Sequence, residues 1–157
     1  MKRSIAHSTL VLILAATCIV SMASTAQAED LPCSLAKAAG SYAVSDSGTV
    51  IGIGPRAAVA MVKLDASGNI KGPVTANLNG GVTNTTISGT YTVNPDCTGT
   101  MAFGEFDKSG NLQLTVTLAV VWDDNLRVFH FLFTSAVLAD GTSVPIVING
   151  DATKVNP

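Results

Sequence analysis

The stretch NLQLTVTLAVVW, from Asn111 to Trp122, decides the fold class because its apolar side chains recur at every second position. The even positions carry Leu112, Leu114, Val116, Leu118, Val120 and Trp122. Gln113, Thr115 and Thr117 are polar and stand between them. Successive side chains of a β-strand point to opposite faces, so this pattern predicts a strand with one buried and one solvent-facing side.

Turn-forming residues divide the chain after residue 40 into segments of similar length. Gly, Pro, Asn and Asp cluster at 54–55, 65–69, 79–81, 94–96, 107–111, 123–125 and 140–141. Such residues favour tight turns or positive φ. Between the clusters lie about eight predicted strands: 41–53, 56–65, 70–78, 82–93, 98–106, 111–122, 126–138 and 143–153. Connections this short predict an antiparallel meander.

An open meander of eight strands would leave two exposed sheet edges, and closure into a barrel removes both. We therefore predict an all-β fold, an antiparallel barrel of about eight strands preceded by a short helix. A two-sheet sandwich is the alternative. Asp30 is the predicted helix cap, Pro32 suits the first turn, Cys33 to Ala39 form the helix and Gly40 ends it.

Composition excludes several classes of protein. The chain has 157 residues, which supports a single domain, and 47% of them are hydrophobic, which excludes a disordered tail. The formal net charge is -2, whereas a nucleic-acid-binding protein needs a basic face.

Residues 1–28 have the features of a secretory signal peptide. Lys2 and Arg3 precede the apolar run 10–20, and Ala26-Gln27-Ala28 supplies a small-x-small cleavage site. The domain boundaries predicted are therefore 1–28 for the leader and 29–157 for one barrel domain, exported to the periplasm or the cell exterior. An uncleaved membrane anchor and a lipoprotein modified at Cys18 are the alternatives.

Two cysteines remain after removal of the leader. An oxidising compartment favours a disulfide between Cys33 and Cys97, closing a loop that stabilises the fold by about 4 kcal/mol in the chain-entropy model. Two free thiols are the alternative.

The candidates for catalysis are few. His130 is the one histidine beyond the leader, and we consider proton transfer between it and Glu105 or Asp65. The sequence contains no Gly-x-Ser-x-Gly elbow, and no metal or cofactor is predicted. The Asp-x-Ser-Gly-Asn segments at 65–69 and 107–111 are interpreted as hairpin turns rather than calcium loops.

Large apolar side chains are the candidates for ligand binding. An eight-stranded barrel is wide enough either to fill itself with side chains or to hold one small ligand, and both interpretations stay open. The candidate lining residues are Trp122, Phe129, Phe131, Phe133, Met101, Phe103 and Tyr91.

Three strand segments, 57–62, 128–133 and 144–148, are apolar on both faces. Exposed apolar patches of this kind are uncommon on monomers, so we expect a second copy of the chain or the N-terminal helix to cover them, unless they are scattered surface residues.

The segment from Gly89 to Thr100, GTYTVNPDCTGT, together with Gly40-Ser41-Tyr42, resembles small exported bacterial proteins of unknown function. The helix leading into a Gly-x-aromatic strand also resembles the lipocalin group, and the barrel is similar in outline to allene oxide cyclases. These resemblances imply a β-barrel. The leading hypothesis is a non-enzymatic exported barrel that binds a small apolar ligand. An interaction protein with a filled core, or a pocket isomerase or cyclase, is the alternative.

Overall fold

The computed structural model describes residues 33–155. The predicted signal peptide at 1–28, Cys18 and the predicted helix-start residues Asp30 and Pro32 lie outside the described residues. Within the described range the elements are α1 (Leu35–Ala38), β1 (Gly40–Val50), β2 (Gly54–Leu64), β3 (Asn69–Leu78), β4 (Gly81–Tyr91), β5 (Thr98–Phe106), β6 (Leu112–Trp122), β7 (Val128–Leu138) and β8 (Ile146–Val155).

The eight strands form one closed barrel in which each pairs with its neighbours in the sequence. All eight pairings are antiparallel, and β1 closes the barrel by pairing with β8 from Ser41–Val155 to Val50–Ile146. The predicted meander and barrel are confirmed, and the sandwich is excluded. No helix among residues 33–155 is long and apolar enough to cross a membrane.

Two strand boundaries differ from the prediction by three residues because of local turn chemistry. The predicted first strand, 41–53, ends at Val50, and residues 51–53 form a hairpin turn in which Gly52 has φ +85°. The predicted last strand, 143–153, begins only at Ile146, directly after Pro145, which has no N–H to donate to a ladder.

The helix is shorter than predicted, and its N-cap residue lies inside the predicted helix range of 33–39. Ser34 is its N-cap, and the Ser34 side chain accepts a hydrogen bond from the Lys37 amide at 3.4 Å. Cys33 precedes the helix and forms the predicted disulfide with Cys97, in the β4–β5 connection. The bond fixes the start of α1 to the barrel.

The helix packs against one end of the barrel, which we call the helix end. The Tyr42 hydroxyl shares its single proton between the carbonyl oxygens of Ala38 at 2.7 Å and Leu126 at 3.0 Å, so it ties α1 and the β6–β7 turn to β1. Tyr42 is fully buried, and its ring centroid lies 5.1 Å from that of Phe129. The opposite end, which no helix in the described range covers, is called the open end.

Inward-facing glycines allow the wall to curve tightly. At Gly89 on β4, an added Cβ would lie 2.1 Å from the Ala102 carbonyl oxygen on β5. Only glycine permits this close approach of two backbones. The β6–β7 register also shifts between Thr117 and Leu118, a bulge of the kind that bends a sheet into a barrel.

The β7–β8 pairing is short. It joins Val128–Leu132 to Asn149–Thr153, and the ladder stops before the open end. The half of β7 that follows Leu132, beginning with Phe133, therefore has no regular ladder with β8.

Candidate ligand site

A cavity lies inside the barrel, between Val62, Ile70 and Phe129 on the side of the helix end and Asp46, Arg56 and Phe133 nearer the open end. Its volume is about 50 Å³. Most of the lining is apolar, and its members are Val44, Ala60, Val62, Ile70, Val74, Ile87, Met101, Phe103, Leu118, Phe129, Phe131 and Phe133. Three charged side chains, those of Asp46, Arg56 and Glu105, complete the wall.

The strand period explains why these charged residues face inward. On β1, Asp46 follows the inward-facing Tyr42 and Val44 at intervals of two, so its side chain points to the same face. On β2, Arg56 has the same parity as the buried Ala58. Glu105 likewise follows Met101 and Phe103 on β5. The cluster is therefore fixed by alternation within three strands.

Arg56 and Asp46 form an ion pair inside the barrel. Nη1 of Arg56 faces Oδ1 of Asp46, and the two side chains are 12% and 9% exposed. The Arg56 guanidinium also lies over the Phe133 ring, 5.5 Å from its centroid, within the range of a cation–π contact. The guanidinium is therefore held between a carboxylate and an aromatic face.

Burial raises the pKa of Asp46 to about 6. Desolvation is the largest cause, the Arg56 charge acts in the opposite direction, and the negative charge of Glu105 raises the pKa further. Glu105 acts on Asp46 across the barrel interior, because β1 and β5 are not adjacent strands.

Glu105 has a weaker set of partners than Asp46. Its Oε1 accepts a hydrogen bond from the Thr85 hydroxyl on β4 at 2.5 Å. Among the described residues, no lysine, arginine or histidine forms an ion pair with Glu105. The cavity therefore contains two carboxylates and one guanidinium.

Five of the seven predicted lining residues contribute to this cavity: Met101, Phe103, Phe129, Phe131 and Phe133. The other two, Trp122 and Tyr91, do not line it and pack at the helix end. The Tyr91 hydroxyl donates a hydrogen bond to the Asp65 carbonyl at 2.6 Å. Trp122 is buried, and its indole N–H has no hydrogen-bond acceptor among residues 33–155.

The hypothesis of proton transfer between His130 and Glu105 is wrong. His130 lies on the outer face, where Nδ1 contacts Oδ1 of Asp151 and both side chains are more than 60% exposed, at 67% and 63%. Glu105 lines the cavity, so the barrel wall separates the pair.

Asp65 does not join His130 either. Its carboxylate accepts hydrogen bonds from the Ser67 and Asn69 amides, both at 2.9 Å, which lower the pKa of Asp65 and close the hairpin turn. Asp107 makes the same bonds to Ser109 and Asn111, so both Asp-x-Ser-Gly-Asn segments are hairpin turns. Residues 33–155 contain no group of three or more His, Cys, Asp or Glu side chains placed to hold a metal ion.

The helix does not cover the two-sided apolar strands, contrary to one of the two expected arrangements. It packs at the barrel end, and the outer faces keep large apolar side chains exposed: Val59 at 61%, Met61 at 46%, Leu132 at 49% and Val147 at 63%.

Sequence reasoning missed Asp46 and Arg56 as site residues. The available signal was a charged residue on the inward parity of an otherwise apolar strand face, as in Tyr42-x-Val44-x-Asp46.

No model of a known protein family matches the chain, and no curated protein matches it either. Among solved structures, EF1p2_mFAP2b bound to DFHBI is 10% identical, with a TM-score of 0.55, and covers 80% of this chain and 99% of its own. The redesigned barrel mFAP1, also bound to DFHBI, is 14% identical with a TM-score of 0.49, covering 76% and 99%. The phycobiliprotein lyase CPES from Guillardia theta is 9% identical with a TM-score of 0.44, covering 78% and 91%.

At these identities the first likeness shows the fold, and the other two, with lower scores, add no argument. The resemblances to lipocalins and allene oxide cyclases stay predictions. The chain is an eight-stranded antiparallel β-barrel similar in fold to EF1p2_mFAP2b.

Proposed function

We propose that this protein is an exported, non-enzymatic barrel that binds a small and mostly apolar molecule in the cavity inside the barrel. The observation that carries the proposal is the set of charged side chains on an apolar inner wall, where Asp46 and Arg56 are about nine-tenths buried. Burying charges is costly, and well-packed apolar residues often stabilise a core better. A ligand that uses these groups accounts for their presence inside the barrel.

The size of the cavity limits the ligand. A volume of about 50 Å³ holds roughly four water-sized groups. A larger molecule enters only if side chains such as Phe133 and Arg56 move aside. The ligand is therefore small, with an apolar part against Phe131 and a polar part beside Asp46 or Glu105.

The comparison supports the proposal at the level of the fold. EF1p2_mFAP2b is bound to the small molecule DFHBI, so a barrel of this fold is compatible with small-molecule binding. For export, the support is the leader pattern at 1–28 and the Cys33–Cys97 disulfide, which suits an oxidising compartment.

Amide NMR of the protein tests the proposal, with isobutanol as a small neutral probe. We expect isobutanol to shift the amides of cavity residues such as Ile87 and Phe131. The Ala60→Leu variant fills the cavity and should abolish these shifts, whereas Val59→Leu places the same side chain on the outer face of the same strand and should preserve them. Shifts confined to the outer face, or no shifts at all, would contradict the proposal.

Native mass spectrometry of protein purified from its host, without refolding, provides a second test. A reproducible added mass would support ligand binding and identify the ligand class.

A second candidate function rests on the exposed outer-face side chains Val59, Met61 and Val147. In this alternative the protein acts through its surface, as a homo-oligomer or with a protein partner. Light scattering distinguishes it: a dimer or trimer that Met61→Lys converts to monomer supports the surface role, and a wild-type monomer counts against the homo-oligomer.

A further inference from the structure

The charges inside the cavity do not balance. Arg56 is paired with Asp46, and their opposite charges offset one another. Glu105 also faces the cavity, and its only hydrogen bond among the described residues comes from the neutral Thr85 hydroxyl. With both carboxylates ionised, the cluster carries a net charge of -1.

The position of Arg56 makes it a poor receptor for an anion. Its Nη1 already faces Asp46, and its guanidinium plane lies by Phe133. An anionic ligand would approach Arg56 in the presence of two carboxylates, and like charges in a poorly solvated space repel strongly. A cation would instead be attracted to the cluster, because it would neutralise the negative charge of Glu105.

Resting on the proposed function, we propose that the ligand is a small organic cation, a primary ammonium on a short apolar body, whose N–H groups bind Glu105. Hydrogen bonds between an ammonium and a carboxylate are charge-assisted and about twice as strong as neutral ones. The apolar body lies deeper, against Phe103 and Phe131. Oδ2 of Asp46, which accepts no hydrogen bond from the described residues, is a second acceptor for the head group.

Three probes with one shared isobutyl group test this assignment: isobutylamine, isobutanol and isovalerate. They differ in the charge of the head group, so NMR titration at neutral pH compares their affinities for the same cavity. We expect isobutylammonium to bind about tenfold or more tightly than isobutanol, and isovalerate to bind more weakly than either.

The Glu105→Gln variant keeps the acceptor for Thr85 and removes the charge. It should lose the preference for the amine, a fall of about tenfold in amine affinity, with little change for isobutanol. Asp151→Asn makes the same change of charge on the outer face and should leave all three affinities unchanged. An amide spectrum of Glu105→Gln that matches the wild type outside the cavity confirms that the variant is folded.

The outcomes separate the two proposals. Equal affinities for the three probes, or a preference for isovalerate, would overturn the cation assignment and leave the ligand site in place. The absence of binding by all three would overturn the ligand site itself, and the cation assignment with it.

Discussion

Asp46 and Arg56 are diagonal neighbours on the inner face of the barrel, because Asp46 is in register with Ala58 and Arg56 with Gly48. Diagonal neighbours on a sheet are within reach of a long side chain, and the guanidinium of Arg56 closes the gap to the carboxylate. The pair therefore depends on the register of β1 and β2 as much as on its two residues.

The buried carboxyl makes stability depend on pH. Because the pKa of Asp46 rises from 3.8 to about 6 on folding, the folded protein binds this proton more tightly than the unfolded chain does. Its contribution to stability is full below about pH 4 and is lost as the pH rises toward 6. The free energy of unfolding of wild type minus that of Asp46→Asn should fall by on the order of 1–3 kcal/mol between about pH 4 and pH 7.

Urea denaturation at a series of pH values measures this difference. The turn aspartates, such as Asp65 and Asp107, have lowered pKa values, so the stability they contribute is lost only below about pH 3.8, outside this window. A flat difference would show that Asp46 titrates at its ordinary pKa, and a difference that rises with pH would show that folding lowers the pKa of Asp46, so either result would contradict the prediction.

The Tyr42 hydroxyl should stabilise the helix end. Tyr42→Phe removes its hydrogen bonds to Ala38 and Leu126 and leaves two carbonyl oxygens without that donor. We expect a loss of about 1–3 kcal/mol in the free energy of unfolding, measured by chemical denaturation. Thr90→Val removes a hydroxyl from an exposed outer position and should cost less than about 0.5 kcal/mol. Equal effects of the two changes would argue against a structural role for the Tyr42 bonds.

The disulfide should contribute strongly to stability because it closes a long loop. Cys33 and Cys97 are 64 residues apart in sequence, for which the chain-entropy model gives about 4 kcal/mol. We expect the double variant Cys33→Ala/Cys97→Ala to be destabilised by about that amount. Reductant should lower the urea midpoint of the wild type and leave that of the double variant unchanged. An equal change of midpoint in both proteins would contradict the prediction.

Gly89 should tolerate no side chain. Gly89→Ala places a Cβ 2.1 Å from the Ala102 carbonyl oxygen and 2.5 Å from the Phe103 Cα, so the two strands must separate. We expect a loss of about 2–4 kcal/mol. Gly110→Ala is the control: its Cβ meets nothing within 4 Å, and its φ of +83° alone should cost about 1 kcal/mol. Thermal melts of both variants give the comparison, and a Gly89→Ala variant as stable as Gly110→Ala would contradict the clash.

The barrel can be predicted from the sequence because the patterns that specify its strands and turns are local. Alternation in 111–122 and the turn residues at 65–69 and 107–111 specify strands and hairpins without long-range knowledge. Parity also separates His130 from Glu105: His130 lies between Phe129 and Phe131, so burying those rings puts the imidazole outside. The sequence could therefore have excluded that catalytic pair.

The charged cluster could be predicted only in part. Parity places Asp46, Arg56 and Glu105 on inner faces, but their meeting depends on register and on the way the wall curves. The register of β1 and β2 follows from the hairpin at 51–53. The sequence predicts the end of β1 at residue 53, three residues beyond its actual end at Val50. The cavity volume depends on how all eight inner faces pack together, which no single segment specifies.

The pairing of β1 with β8 also governs how the protein can fold. Seven of the pairings join strands adjacent in sequence and can form as hairpins, whereas the eighth joins residues as distant as Ser41 and Val155. Non-local contacts carry the largest entropic cost and form slowly. Until residues 146–155 dock, β1 and β7 each present an unpaired edge, the kind of surface on which chains aggregate. A chain truncated before Ile146 would keep both edges unpaired. Strand β8 therefore shields the edges of β1 and β7 from pairing with other chains.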